Sequence, residues 1–505
     1  MASATDMSLI TGVELAAYIA VCIFLGYMGM KRTKSMKDYA VAGYKVGPVL
    51  LGIALISTWQ SISTYQGTPG VGFTYGWPSL WNGLMAFAVP LAMLFVVWPL
   101  RKMAVKLNAF TTIDLIGERF QSTLVRIVFA VLNVVVMTMF LVAQYKGSGL
   151  LLSNIMGTPF WVGVLLSAVV VAIYMIPGGM WADILTDVFQ GVIMVITGLM
   201  LTPIVIAAAG GFTGITASLT AIKPALAGTF EPGTLYDVGN VIILPAYWVL
   251  SFFAIPAFGN RVMILGSKRG IAKFALLMAV GLFAGQVLAQ AGVAARAMAV
   301  GGAADFALIA VAIQLLPAAL AAFFMVGVIA AMMSSVDGYA HSAAVSAGND
   351  VYKRIMQKIR HSTKTEEQLD KTAMKIAQLV TILVLAVPIY WVIVAPPPLL
   401  SLFVFWANGL LAAAVSAPLL IGLVWKKATK YGVFAAIVFG LSGFWFIDQV
   451  INPNGPYWRT VGAWAVSAFS LIVVSTIENK FFGGRSLPRA ALDKLEGRVP
   501  EAKAT

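Results

Sequence analysis

The chain has 505 residues, 60% of them hydrophobic and 11% charged, with a formal net charge of +14 and a mean hydropathy of +0.90. Soluble domains carry roughly 25% charged residues, so a soluble globular protein is excluded: its surface would be one large apolar patch. The single cysteine, Cys22, excludes an internal disulfide framework, and two histidines, His341 and His361, leave no ligand set for zinc or an iron–sulfur cluster.

Apolar segments of about 20 residues, the length that crosses a hydrocarbon core, recur along the chain. They predict an all-α membrane protein of about thirteen transmembrane helices. These cover residues 9–30, 49–76, 79–100, 122–152, 160–177, 183–209, 240–258, 273–298, 317–346, 373–395, 398–425, 430–450 and 460–478. The Lys and Arg residues concentrate after the odd-numbered segments, in "KRTKSMKDYAVAGYK", "RKMAVK", "GSKRGIAK", "YKRIMQKIRHSTKTEEQLDKTAMK", "WKKATK" and a basic tail at 479–505. After even-numbered segments there is little beyond Lys223, Arg296 and Arg459. This alternation predicts a multi-pass protein of the cell membrane with its N-terminus outside and its C-terminus cytoplasmic. It also explains the net charge without nucleic acid as a partner. The expected partners are the lipid bilayer and a small-molecule substrate; oligomeric state has no signal. There is no GxxxxGK[ST] loop and no long soluble segment, so ATP is not the expected energy source. Nor does a nucleophile, metal set or cofactor motif suggest an enzyme.

Two segments carry helix breakers inside the membrane. The first is "STWQSISTYQGTPGVGFTYG", residues 57–76, with four glycines and Pro69; the second is "LPAYWVLSFFAIPAFGN", residues 244–260, with Pro245 and Pro256. Unsatisfied backbone amides cost several kcal/mol each in lipid, so such backbone survives only against protein or a cavity. The breaks lie five segments apart, in helices 2 and 7. Paired interrupted helices at matching positions point to an inverted-repeat transporter. One transporter domain, 1–505, would contain a first five-helix repeat at 49–209 and a second at 240–425. For the second break, a simple proline kink is the alternative.

Three motifs then resemble those of the sodium/solute symporter family: "MKDYAVAGYKVGP", "YMIPGGMWADILTDVFQGVIM" (174–194) and "GVIAAMMSSVDGYAHSAAVSAGNDVYKR" (327–354). The resemblance covers about residues 10–475, and "LNAFTTIDLIGERFQS" is closest in pattern to bacterial pantothenate and monocarboxylate symporters. It implies a leucine-transporter-like fold with one extra N-terminal helix, and Na+ as the coupling ion.

The oxygen donors for such an ion are visible. Ala331, Ser334 and Ser335 fall on one face of helix 9. The resemblance implies a sodium site formed by the Ala331 carbonyl, the Ser334 and Ser335 hydroxyls, and the carbonyls of Ser57 and Gln60. The alternative is that the two serines bond within or between helices. Asp337 is a carboxylate inside a membrane span, a functional-site candidate by default. The resemblance places Asp187 on the inward sodium route, and in some relatives in a second sodium site. Asp187 and Asp337 are expected to approach each other and hold a second cation or a proton, with His341 one turn further. The alternative is a hydrated Asp337 paired with a loop Lys or Arg. Trp59 stands where some relatives carry an acid.

Substrate is expected beside the breaks, near the midplane. Candidates are Ser61, Thr64, Tyr65, Gln66 and Gly67 in helix 2, Ser251, Phe252, Phe253 and Pro256 in helix 7, and Gln144 and Lys146 in helix 4. Trp406 and Asn408 are weaker. Lys146 either attracts an anionic substrate or snorkels to the outer interface. The expected function is sodium-coupled symport of a small organic solute by alternating access, with a monocarboxylate or pantothenate-like anion favoured. An amino-acid or neutral-solute symporter, a proton-coupled transporter, a solute sensor and a channel are the alternatives.

Overall fold

The computed structural model describes residues 4–358, 365–397, 400–451 and 455–497. His361, the middle of the long basic loop, the first two residues of the expected helix 11 and the end of the tail lie outside the described residues. Among the described residues there are helices and no strands. Ten helices of the described residues are long and apolar enough to cross a membrane, or up to twelve if each of two bent pairs counts as one span.

The expected helices 160–177 and 183–209 lie in the run Phe160–Ala208, in which two helices meet at a kink at Gly179, whose φ of 55° and ψ of −146° are non-helical. A Cβ at Gly179 would lie 2.6 Å from the Tyr39 ring, so both the backbone and the space require glycine. Shorter helices also appear outside the expected spans, among them Thr112–Phe120, Gly211–Ile222, Ala307–Leu315 and, in the basic tail, Arg489–Glu496. The last docks on the basic-loop end of the bundle, where Lys106 Nζ is 2.6 Å from the Leu495 carbonyl and Lys426 pairs with Glu496 at 2.8 Å.

At the centre stands the Ala318–Val345 helix, packed on Ala4–Arg32, Pro48–Trp59, Thr123–Met156, Phe160–Ala208 and Glu366–Val394. The best window of its span is 83% buried within the protein, against 22% for Lys430–Ile451 at the rim. Its run of Gly, Ala and Ser permits the close approach that this position demands.

The helix Pro48–Trp59 stops at Gln60, where ψ turns to 79°. The chain resumes as a wide turn at Ser63–Gly67 and an α-helix at Thr68–Tyr75. Val238–Ala254 and Pro256–Val262 meet at a 76° bend. Pro245 is absorbed within the first of these, while Pro256, which has no amide to leave unpaired, opens the second. The Thr68–Tyr75 segment is covered by Lys268–Ala297. There Gly292 faces the Pro69 carbonyl and Gly72 faces the Ala289 carbonyl so closely that neither position has room for a Cβ.

Candidate functional site

In an unbroken helix the carbonyls of Ser57 and Thr58 would accept the amides of Ser61 and Ile62. Here the Ser61 amide turns to the Trp59 carbonyl at 2.9 Å, and the Ile62 amide is taken by the Gln144 side chain at 3.1 Å. Both released carbonyls meet the central helix. Ser334 Oγ is 3.0 Å from the Ser57 carbonyl and 3.1 Å from that of Ala331. Ser335 Oγ is 2.8 Å from the Thr58 carbonyl. The Gln60 carbonyl also loses its helical partner, since the Thr64 amide bonds Ser61 at 2.8 Å; the Gln60 side chain donates to the Gly281 carbonyl. All these residues are buried except Trp59, which is half-buried. Every donor atom in this niche is a neutral oxygen. If each hydroxyl turns its hydrogen away from the carbonyl, lone pairs converge, which suits a hard cation. Thr58 is a member that sequence reasoning missed.

Next to the niche lies a charged cluster. Carboxylate oxygens of Asp183, Asp187 and Asp337 lie within 4.8 Å of one another. Arg261 Nη2 reaches Asp183 at 2.6 Å and Asp187 at 3.2 Å. Thr58 Oγ1 donates to Asp187 at 2.7 Å, which joins the cluster to the niche through one residue. Asp337 accepts from Tyr174 at 2.9 Å and from the Gly338 amide at 2.7 Å, and it is fully buried rather than hydrated. Asp183 Oδ1 and Asp187 Oδ1 have no hydrogen-bond partner among the described residues. Thus three buried carboxylates face one guanidinium. Asp183 and Arg261 were not anticipated, although Asp183 and Asp187 at i and i+4 in an apolar helix are a readable signal. His341 turns away, with its ring against Tyr39 at 5.4 Å and Nε2 3.5 Å from the Ala40 carbonyl.

A cavity lies between the two breaks. Its walls include Ser61, Thr64, Asn82, Gln286 and Asn408, with Trp59, Trp248 and Phe258 as an aromatic side; no described residue lining it is charged. The Trp59 and Phe258 rings are 4.9 Å apart. Of the expected substrate residues, Ser61, Thr64 and Asn408 line this cavity, and Gln66, Gly67, Gln144, Lys146, Ser251 and Phe253 do not. Gln144 caps the break, Gln66 donates to the Gly147 carbonyl at 3.2 Å, and Gly67 abuts Ser401. Lys146 pairs with Asp305 at 3.1 Å. Ser251 and Phe253 are buried, the latter against Phe252 at 5.2 Å. Trp406 lines a different pocket, with Arg459.

Bundle, freed carbonyls and uncharged cavity together describe a membrane-embedded solute transporter. The chain belongs to the sodium:solute symporter family, whose model matches residues 39–440. Na+ is accordingly its coupling ion. It is 25% identical over 447 residues to the sodium/pantothenate symporter of Escherichia coli K12, covering 84% of this chain and 88% of that one. To the osmoregulated proline transporter OpuE of Bacillus subtilis it is 23% identical over 487 residues, covering 94% and 96%. Its fold matches the solved structure of a Na+-coupled sialic acid symporter with a TM-score of 0.76 at 19% identity, covering 93% of this chain and 98% of that one.

Proposed function

We propose that the protein imports a small organic carboxylate, a monocarboxylate or a pantothenate-like anion, by sodium-driven alternating access. The observation that carries this reading is the convergence of the Ser57, Thr58 and Ala331 carbonyls on the Ser334 and Ser335 hydroxyls. Sodium would be held there, beside the Gln60 carbonyl. The uncharged cavity next to it would take the substrate, its apolar body on Trp59, Trp248 and Phe258 and its polar groups on Ser61, Thr64 and the cavity amides. With no charged lining residue, the anion's charge is matched by the sodium beside it, which is a physical source of coupling: each ligand favours the other's state. Gln66, Gly67, Gln144, Ser251 and Phe253 then shape the cavity from behind its walls.

In this reading Phe160–Ala208 crosses twice through Gly179, and each interrupted helix, residues 48–75 and 238–262, crosses once, which makes thirteen spans. Two inverted repeats occupy 49–209 and 240–425. The basic loops face the cytoplasm, with the N-terminus outside. Asp187 and Asp337, with Asp183, form a second cation or proton site on the inward route. What favours it is the excess of buried carboxylate over guanidinium; the sialic acid symporter, whose structure reveals a novel Na+ site, offers a parallel.

Uptake of radiolabelled pantothenate, lactate and proline into proteoliposomes, with and without an inward sodium gradient, tests the reading. Gradient-dependent accumulation of a carboxylate is expected. Equal uptake in both conditions for every substrate would sink it, and accumulation of proline alone would replace the carboxylate by a zwitterion.

A further inference from the structure

One buried ion pair has no part in the transport chemistry above. Lys146 Nζ lies 3.1 Å from Asp305 Oδ2, and the side chains are only 11% and 4% exposed. Asp305 stands in the turn Ala304–Phe306 that opens the Ala307–Leu315 helix, between two membrane spans and on the face opposite the basic loops. Its Oδ2 also accepts the amide of Leu400, the first residue of the Leu400–Ala417 helix, at 3.2 Å. A Cβ at Gly70 would come within 3.1 Å of Asp305 Oδ1 and 3.2 Å of the Ala304 backbone. One carboxylate thus joins the Thr123–Met156 helix, the second half of the interrupted helix, and the start of Leu400–Ala417. The junction adjoins the cavity. Ser401, next to Leu400, lines the cavity and sits 3.4 Å from the Ser63 carbonyl. The carbonyl of Gly147, next to Lys146, holds the Gln66 side chain.

A permanent joint gains little from two buried charges, since desolvation offsets their attraction and apolar packing would hold as well. A joint that must open gains more. Once parted, both charges return to water, so the open state is not penalised as an exposed apolar face would be.

We propose that Lys146 and Asp305 are the latch of an outer lid, formed by residues 304–315, that closes over the cavity. Calling the lid outer rests on the orientation given under the transport reading. Paired, the two residues hold the lid against the interrupted helix; parted, they open the way to Ser61 and Ser63. Lys146 is then a positioning residue for the lid and not a ligand of the substrate.

Because the chain has a single cysteine, Cys22, which is buried, a Cys22→Ser, Ser61→Cys parent carries one reporter thiol in the cavity. The full-length protein in vesicles is treated with a membrane-impermeant methanethiosulfonate reagent, applied to each side in turn. From the lid side, Asp305→Asn and Lys146→Met are each expected to speed labelling about tenfold, as for a gate equilibrium shifted by one charged hydrogen bond. The double variant should be no faster than the faster single, because no pair remains to break. Gly70→Ala, which crowds the same carboxylate without changing charge, should act in the same direction, and it decides the matter if the charge variants fail to insert. Labelling unchanged in these variants, or single effects that multiply in the double, would overturn the latch. The readout needs no transport. Uptake is read separately in protein that keeps Ser61: unchanged labelling with intact sodium-driven uptake there sinks the latch alone, and faster labelling with no uptake by the Ser61 protein sinks the transport reading alone.

Discussion

Ser334→Ala removes the hydroxyl that bridges the Ser57 and Ala331 carbonyls at 3.0 and 3.1 Å. With sodium bound, the loss is one ion contact, comparable to a hydrogen bond to a charged group, about 1.5–3 kcal/mol. Without sodium, the variant also loses its hydrogen bond to the Ser57 carbonyl, a net loss of about 1 kcal/mol. The second loss weakens the empty state and so offsets part of the first. The difference, about 0.5–2 kcal/mol, corresponds to sodium binding weakened by about 2–30-fold. Two measurements check it: the sodium concentration giving half-maximal uptake in proteoliposomes, and the rise in melting temperature with added sodium, which must shift to higher concentration by the same factor. Ser342→Ala, two turns further along the same helix and bonded to Asn133 at 3.2 Å, is the control and should leave sodium affinity alone. A half-saturation for Ser334→Ala equal to that of the parent would refute the assignment of the niche to sodium.

Two further outcomes follow from packing and charge. Arg261→Met leaves Asp183 and Asp187 buried without their guanidinium and should lower stability by about 3–5 kcal/mol, read as a lower melting temperature in detergent. Adding Asp183→Asn, which removes one of the uncompensated charges, should restore part of it; a double variant less stable than the single would contradict the pairing. Gly292→Ala drives a Cβ into the Pro69 backbone and should cost about 1–3 kcal/mol, whereas Gly83→Ala, with nothing within 4 Å, should leave the melting temperature in place.

Features governed by local periodicity were readable in the sequence. Ala331, Ser334 and Ser335 share a helical face because three and four residues span about one turn. The break after Trp59 falls in the polar run that signalled it, whereas Pro69, Gly70 and Gly72 lie within the helix Thr68–Tyr75. What stayed hidden depends on distant partners. Whether the Thr58 carbonyl is free depends on Gln144, which takes the Ile62 amide from 82 residues away. Arg261 reads as a loop residue until the bend at Ile255 turns its short helix towards Asp183. Lys146 reads as a lone cation in an apolar span because Asp305 lies 159 residues further on. That the helices of 160–177 and 183–209 meet with only Gly179 outside helical geometry likewise depends on a distant partner, the Tyr39 ring packed against it.

The meeting of Gly72 and Gly292 with facing carbonyls has a mechanical consequence. Side chains between two helices act as a compliant layer, because rotamers can change as the helices shift. Here that layer is missing, and backbone lies on backbone at Pro69 and at Ala289. Thr68–Tyr75 and the adjoining turns of Lys268–Ala297 therefore move as one stiff piece. In the proposed change of access, flexing would then fall at Ser61–Ile62, where the amides are held by the Trp59 carbonyl and by the Gln144 side chain of another helix.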